Sequence, residues 1–301
     1  MELRHIRYFL AVAEEESFTR AAERLGIGQP PLSQQIKALE EEIGARLFRR
    51  LSHGAELTEA GKVFRDRVGG MPAEVAEAVR LARRAAAGET GTLRLGFTGT
   101  AALSPIVPAC VRAFRRTYPD VEFIIEEANS MALTKALVEG RLDAAILRPS
   151  ASDPAELTEE RVAEEPLVAA LPAGHPLAEQ SGELKLARLA DEPFILTSRD
   201  LGISLHDAVL AACREAGFEP RLGPFAPQIA SILSLVAAEL GVSLVPASMG
   251  QINVSGVVLR QLEDAPHTVG LALAYRKATT AVVVRHFVQT VRQVAAGSSI
   301  D

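Results

Sequence analysis

Apolar positions in the first 45 residues recur at helical spacing in three short stretches. Leu3, Ile6, Phe9, Leu10 and Ala13 mark one amphipathic helix. Ala21, Ala22 and Leu25 mark a second of about two turns, with Ser17 placed to cap its start and Gly26 to end it in the left-handed region. Leu32, Ile36, Leu39 and Ile43 form the stripe of a third. This helix begins at Gln29-Pro30-Pro31, where proline is tolerated because a first-turn N–H has no partner to lose. Gln29, Ser33, Gln34 and Lys37 fall on the opposite side of that helix. A polar face beginning at a helix N-terminus meets base edges and phosphates together, so the second and third helices predict a helix-turn-helix that reads the DNA major groove. Leu47 to Arg50 and Ala55 to Thr58 then flank Ser52-His53-Gly54 as a hairpin, a wing that would set Arg46, Arg49, Arg50 and His53 beside the duplex backbone.

Beyond Thr58, a capping residue, Ala60, Phe64, Val68, Met71, Val75, Ala78 and Ala82 recur at three and four residues, the pattern of a long linker helix over 59–88. One apolar seam between two domains predicts pairing with a second copy of the chain; packing on its own chain is the plainer alternative. Gly69-Gly70-Met71-Pro72 predicts a kink or break near Gly70.

From Gly91 strands and helices alternate, the rhythm of a parallel α/β sheet. Strands are expected at 93–97, 121–126, 144–147, 167–171, 194–197, 221–225, 242–245 and 269–275. Helices are expected at about 103–118, 132–139, 204–216, 229–240 and 281–295. The predicted organisation is a multidomain α/β chain: a winged helix-turn-helix over 1–58, the linker helix, and a two-lobed α/β domain. One lobe comprises 91–164 plus 267–301 and the other 165–266, with two chain crossings as a hinge.

Ligands of open α/β sheets bind beyond the carboxyl ends of strands, where helix N-termini present free N–H groups. Those ends carry Thr98, Gly99, Thr100 and Ala101; Asn129 and Ser130; Arg148; and Thr197, Ser198 and Arg199. A cleft rich in hydroxyls and amides suits a carboxylate. The same residue types also cap helices in any α/β protein, and Arg148 could equally pair with Glu126 or Asp143.

Composition narrows the classes. The chain has 301 residues, 48% hydrophobic and 23% charged, with a net charge of −6, so any DNA affinity is local. Residues 1–58 themselves carry eight Arg and Lys against nine Asp and Glu, with Glu14 to Glu16 and Glu40 to Glu42 expected on faces away from DNA. No apolar run spans a membrane and no leader precedes the first helix, which points to the cytoplasm. Cys110 and Cys213 read as free buried thiols, with no disulfide and no metal site. There is no phosphate loop, nucleotide fingerprint, nucleophile elbow or acid–base constellation, and His175, in Gly-His-Pro, reads as a turn residue; no catalytic residue and no cofactor are expected. A two-lobed enzyme and a pure solute receptor are the rival classes. Neither accounts for the first 58 residues.

RYFLAVAEEESFTRAAERLGIGQPPLSQQIKALEEEIGARLF and LTEAG resemble the winged helix-turn-helix of LysR-type transcriptional regulators. The resemblance implies base reading by Gln29, Pro30, Ser33 and Gln34 and wing contacts by Arg50 and His53. Many members carry arginine where Gln34 stands and a basic residue where His53 stands, and because Gln favours adenine and Arg guanine, base preference does not carry over. LRLGFTGTAALSPIVP, ALTKALVEGRLDAAILR, LVAAELGVSLVPAS and AYRK resemble that family's effector domain, which shares the architecture of periplasmic solute-binding proteins. They lean toward the branch controlling degradation of aromatic acids of the muconate, benzoate and chlorocatechol type. In that branch Thr100, Ser130 and Thr197 stand at effector-contacting positions and Leu205 at an apolar lining position. The resemblance further implies promoter DNA, a small effector, RNA polymerase and a homodimer or homotetramer as partners.

Overall fold

The computed structural model describes residues 1–51, 54–199, 203–263 and 267–297, and the chain divides into two compact units, Met1–Arg84 and Ala85–Asp301.

The first unit opens with three helices, α1 (Leu3–Glu15), α2 (Phe18–Leu25) and α3 (Gln29–Ile43). Ser17 accepts from the Arg20 N–H to start α2, and Gly26 ends it with φ 67°, a conformation costly for any residue bearing a Cβ. The hairpin β1 (Phe48–Leu51) and β2 (Gly54–Leu57) pairs antiparallel, Phe48 opposite Leu57. Its turn, Ser52 and His53, lies outside the described residues. Phe9, Val12, Ala21, Leu32, Ile36 and Leu39 close the core. The Phe9 ring meets Phe48 at 5.2 Å and Phe64 at 5.0 Å.

In the acidic run expected on a face away from DNA, Glu41 and Glu42 are exposed but Glu40 is not. It is buried, its carboxylate accepts from the backbone N–H groups of Leu47 (2.7 Å) and Phe48 (3.1 Å), and Arg46 pairs with it at 3.0 Å. A carboxylate satisfied in this way ties the end of the third helix to the first strand of the wing.

The linker is two helices, α4 (Glu59–Val68) and α5 (Met71–Ala86), separated at Gly69-Gly70. Pro72 sits in the first turn of α5, where its missing N–H costs nothing. The expected seam divides with them: Phe64 and Val68 belong to the three-helix core, whereas α5 buries no residue and leaves Met71, Val75 and Val79 exposed.

The second unit runs β3 (Thr90–Phe97), α6 (Gly99–Leu103), α7 (Ile106–Thr117), β4 (Asp120–Glu127), α8 (Ser130–Val138), β5 (Ala144–Leu147) and β6 (Leu157–Pro172). It continues with β7 (Pro193–Thr197), α9 (Ile203–Glu215), β8 (Arg221–Ala226), α10 (Ile229–Ala237), β9 (Ser243–Pro246), β10 (Val257–Arg260), β11 (Thr268–Arg276) and α11 (Val282–Ala295). The helix expected over about 103–118 is α7, at Ile106–Thr117, and Ser104 and Pro105 separate it from the short α6 that precedes it. The main sheet, in the order β10-β6-β11-β5-β3-β4 with β9 also on β6, is mixed rather than parallel. Strands β4, β3 and β5 pair in parallel, while β11 runs antiparallel to both β5 and β6.

Strand β6 is the element that joins two cores. Residues 157–166 pair with β11, and 167–172 pair with β9 and β10. On the first side Leu93, Leu95, Phe114, Ile146, Leu273 and Phe287 pack together; on the other, Leu167, Leu171, Phe194, Val209 and Leu244 do. Cys110 belongs to the first of these cores and Cys213 to the second, and burial pushes both thiols up to about 12. The return crossing expected at 266/267 adjoins residues 264–266, which lie outside the described residues. Among the described residues no helix is long and apolar enough to cross a membrane, and no group of three or more His, Cys, Asp and Glu could hold a metal ion.

Candidate nucleic-acid interface and ligand cleft

Helix α3 presents two chemistries. Leu32, Ile36 and Leu39 are buried, while Pro30, Gln34 and Lys37 are exposed and Gln29 and Ser33 half-buried. Lys37 pairs loosely with Glu41 one turn on, at 3.5 Å. The wing is less free than its composition suggests. Arg49 is held across the hairpin by Glu56 (2.5 Å), and Arg46 by Glu40. Arg50 turns back: its guanidinium hydrogen-bonds the Ser33 hydroxyl and lies 4.9 Å from the centre of the Phe18 ring. A cation stacked on an aromatic face and tied to the third helix is pre-positioned beside the polar face that Ser33 belongs to. His53 lies outside the described residues.

In the second unit a cleft of about 500 Å³ opens between the two cores. Thr98, Gly99, Thr100, Ser130 and Arg148 line it from one side, and Thr197, Leu205, Gln228 and Ile229 from the other. Two hydroxyls there are polarised in the same way. Thr100 Oγ1 accepts from Arg148 Nε at 3.2 Å, and Ser130 Oγ accepts from the Arg148 backbone N–H at 3.3 Å. Each is thereby left with its own proton to donate. Thr98 and Asn129 serve as helix caps, accepting from the N–H groups of Ala101 (3.2 Å) and Ala132 (2.9 Å). Arg148 is buried, its Nη2 pairs with Glu165 at 2.6 Å, and its Nη1 has no hydrogen-bond partner. Burial pulls the guanidinium below its ordinary value, with Glu165 opposing that shift.

The comparisons fall on both units. Residues 3–62 match the model described as "Bacterial regulatory helix-turn-helix protein, lysR family", and residues 86–296 match the "LysR substrate binding domain". The chain is 36% identical over 288 residues to the HTH-type transcriptional regulator AlsR of Bacillus subtilis, covering 96% of this chain and 94% of that one. It is 35% identical over 297 residues to the regulator BenM of Acinetobacter baylyi, covering 98% and 97%. The structure of full-length CbnR complexed with its target DNA matches with a TM-score of 0.84 at 27% identity, over 98% of this chain and all of that one.

The chain is a LysR-type transcriptional regulator. It carries the family's DNA-binding and effector-binding domains, and its relatives are regulators rather than enzymes. The likeness extends across the family: BudR of Raoultella terrigena and IlvR of Caulobacter vibrioides, at 39% and 41% identity, are similar to the chain alongside AlsR at 36% and BenM at 35%.

Within the regulator, most of the strand-end residues do meet at one cleft. Ala101 does not: it is fully buried in the first core. Ser198 is half-buried and outside the lining. Arg199 forms a two-pronged pair with Asp207 (3.0 and 2.9 Å). Neither partner expected for Arg148 is its partner: Asp143 is held by Arg94 at 2.8 Å and Glu126 lies 3.8 Å from Arg141. Gln228, Ile229 and Ala230, at the start of α10, were not foreseen; the strand-end rule applied to β8 points to them directly. His175 is a turn residue, its Nδ1 accepting from the Leu177 N–H at 3.1 Å.

Glu159 offers a test in solution. Burial, and then the neighbouring Asp153 carboxylate, push its carboxyl up to about 7. Since the folded state holds this proton and the unfolded chain releases it in the ordinary carboxylate range, the contribution is complete below that range and is lost as pH rises through about 7. The melting temperature should therefore fall between pH 5.5 and pH 8, and Glu159→Gln should flatten that slope in a calorimetric pH series.

Proposed function

We propose that the regulator reads promoter DNA through Gln29, Pro30, Ser33, Gln34 and Lys37 on α3, with Arg50 and the wing, including His53, on the adjacent backbone. The effector is a small carboxylate bound between the lobes 91–164 plus 267–301 and 165–266. The observation that carries the effector reading is the pair of hydroxyls on Thr100 and Ser130, each made an acceptor by Arg148 and so aimed as a donor at whatever enters the cleft. The first residues of α8 and α10 line the same space, where helix N-termini favour an anion. Thr197, Gly99, Thr98 and Leu205 shape the remainder, with Ala101 supporting the first wall from behind. An aromatic acid of the benzoate or muconate type suits the apolar side formed by Leu103, Leu205, Ile229 and Ile252.

The exposed stripe Met71, Val75 and Val79 on α5 supports pairing of two copies as a homodimer or, by further association, a homotetramer, which places two reading helices on an inverted repeat. Effector binding shifts a conformational equilibrium by its differential affinity and alters contacts with DNA and with RNA polymerase in the cytoplasm.

A thermal-shift titration with small organic acids tests the cleft, because a ligand of the native state raises the melting temperature as its concentration exceeds its dissociation constant. Thr100→Ala with Ser130→Ala should abolish the shift and the response to inducer while operator affinity is kept. A fully inducible double variant would remove this site.

A further inference from the structure

The three arginines at the wing are held in different ways. Arg46 faces the Glu40 carboxylate and Arg49 the Glu56 carboxylate, so each already has a counter-charge. Arg50 has none: among the described residues its partners are the Ser33 hydroxyl and the Phe18 ring, whose centre lies 4.9 Å from the guanidinium carbon. Phe18 opens α2 and is only half-buried, its ring packed against Phe48 at 5.7 Å with the two planes at 69°. Phe18, Ser33, Gln34, Lys37 and Arg50 line one groove of about 610 Å³ between α3 and the wing. The acid in its lining, Glu40, is occupied by Arg46 and by the N–H groups of Leu47 and Phe48.

The means of holding an arginine decides what it can still bind. A carboxylate fixes the guanidinium but cancels the charge that would attract a phosphate; an aromatic face and a neutral hydroxyl fix it and leave the charge whole. Ordering a long side chain opposes association, and here the rotamer freedom of Arg50 is already restricted before DNA arrives. Arg50 is thus both ordered and uncompensated.

We infer that Phe18 is a positioning residue for DNA binding, its ring face holding the uncompensated Arg50 guanidinium in the groove between α3 and the wing, ready for a duplex phosphate. The inference rests on the reading of α3 and the wing given above and adds to it a residue that touches no DNA itself.

The test is a double-mutant cycle on the full chain, with fluorescence anisotropy over a salt series on two duplexes, one from upstream of its own gene and one of random sequence. Arg50→Ala should weaken binding and lower the log–log salt slope by about one for each copy of the chain. Phe18→Leu keeps an apolar contact for Phe48 but has no ring face. It should weaken binding by a dimer about tenfold and keep the native salt slope, because the phosphate contact is still made. In the Arg50→Ala background the same Phe18→Leu change should alter affinity less than twofold. A phosphate contact is independent of sequence, so this coupling should appear equally on both duplexes. Native affinity in Phe18→Leu, or an equal loss in both backgrounds as a merely structural role would give, would overturn the inference; so would coupling confined to the upstream duplex, which would make Arg50 a base reader. A native chain that bound both duplexes alike would remove the base-reading role of α3, and coupling on random duplex would still support Phe18.

Discussion

Gln29→Ala combined with Ser33→Ala should lower affinity for the operator by about a hundredfold or more while leaving the melting temperature almost unchanged. Both residues lie on the polar side of α3, away from Leu32, Ile36 and Leu39, so their loss opens no cavity. Each good base contact contributes about 1–3 kcal/mol of discrimination, and two such contacts in each of two copies account for the size of the drop. Ser33 has a second role, because its hydroxyl holds the Arg50 guanidinium; removing it frees the wing cation as well as a base-reading group. Affinity for random duplex, which rests on phosphate contacts, should fall far less. Fluorescence anisotropy with both duplexes separates these effects, and an operator affinity matching that of the native chain would show that α3 is not the reading helix.

Arg148→Met should destabilise the effector-binding unit by about 3–5 kcal/mol, because it leaves the Glu165 carboxylate buried and unpaired. It also removes the Nε–H that orients Thr100, while the backbone N–H that Ser130 accepts from remains, so any protein that still folds should be blind to inducer through the loss at Thr100. The double replacement Arg148→Met with Glu165→Leu should recover most of the stability and none of the response. Urea titration of the three variants reads the first effect and inducer-dependent shifts in melting temperature the second. A stable single variant would mean that the pair is not a buried ion pair in solution.

Much of the architecture is legible in the chain because it rests on short-range chemistry. Ser17, Gly26 and the Pro30-Pro31 pair each act within one turn, and β5 at Ala144–Leu147 is a continuous apolar run of strand length. What stayed hidden depends on distant partners. The first ten residues of β6, with Glu159, Glu160, Glu164 and Glu165 among them, carry a polar pattern, and they are a strand because β11 pairs with them over nine positions. The burial of Glu40 is hidden because nothing local reveals that Leu47 and Phe48 bring their N–H groups to it. The partner of Arg148 is hidden for the same reason: Glu165 lies on β6, which is brought beside β5 only by the intervening β11 of the mixed sheet. The seam of the linker was visible as a period, but its division between Phe64 and Val68 inside the core and Val75 and Val79 outside follows from where Gly69-Gly70 breaks the helix.

The most direct measurement is competition binding of the native chain to the duplex upstream of its own gene against random-sequence duplex at moderate salt. A helix-turn-helix that reads base edges predicts a preference of about a thousandfold or more for the upstream fragment. Equal competition by the two duplexes would contradict the assignment of α3 and its wing to sequence recognition.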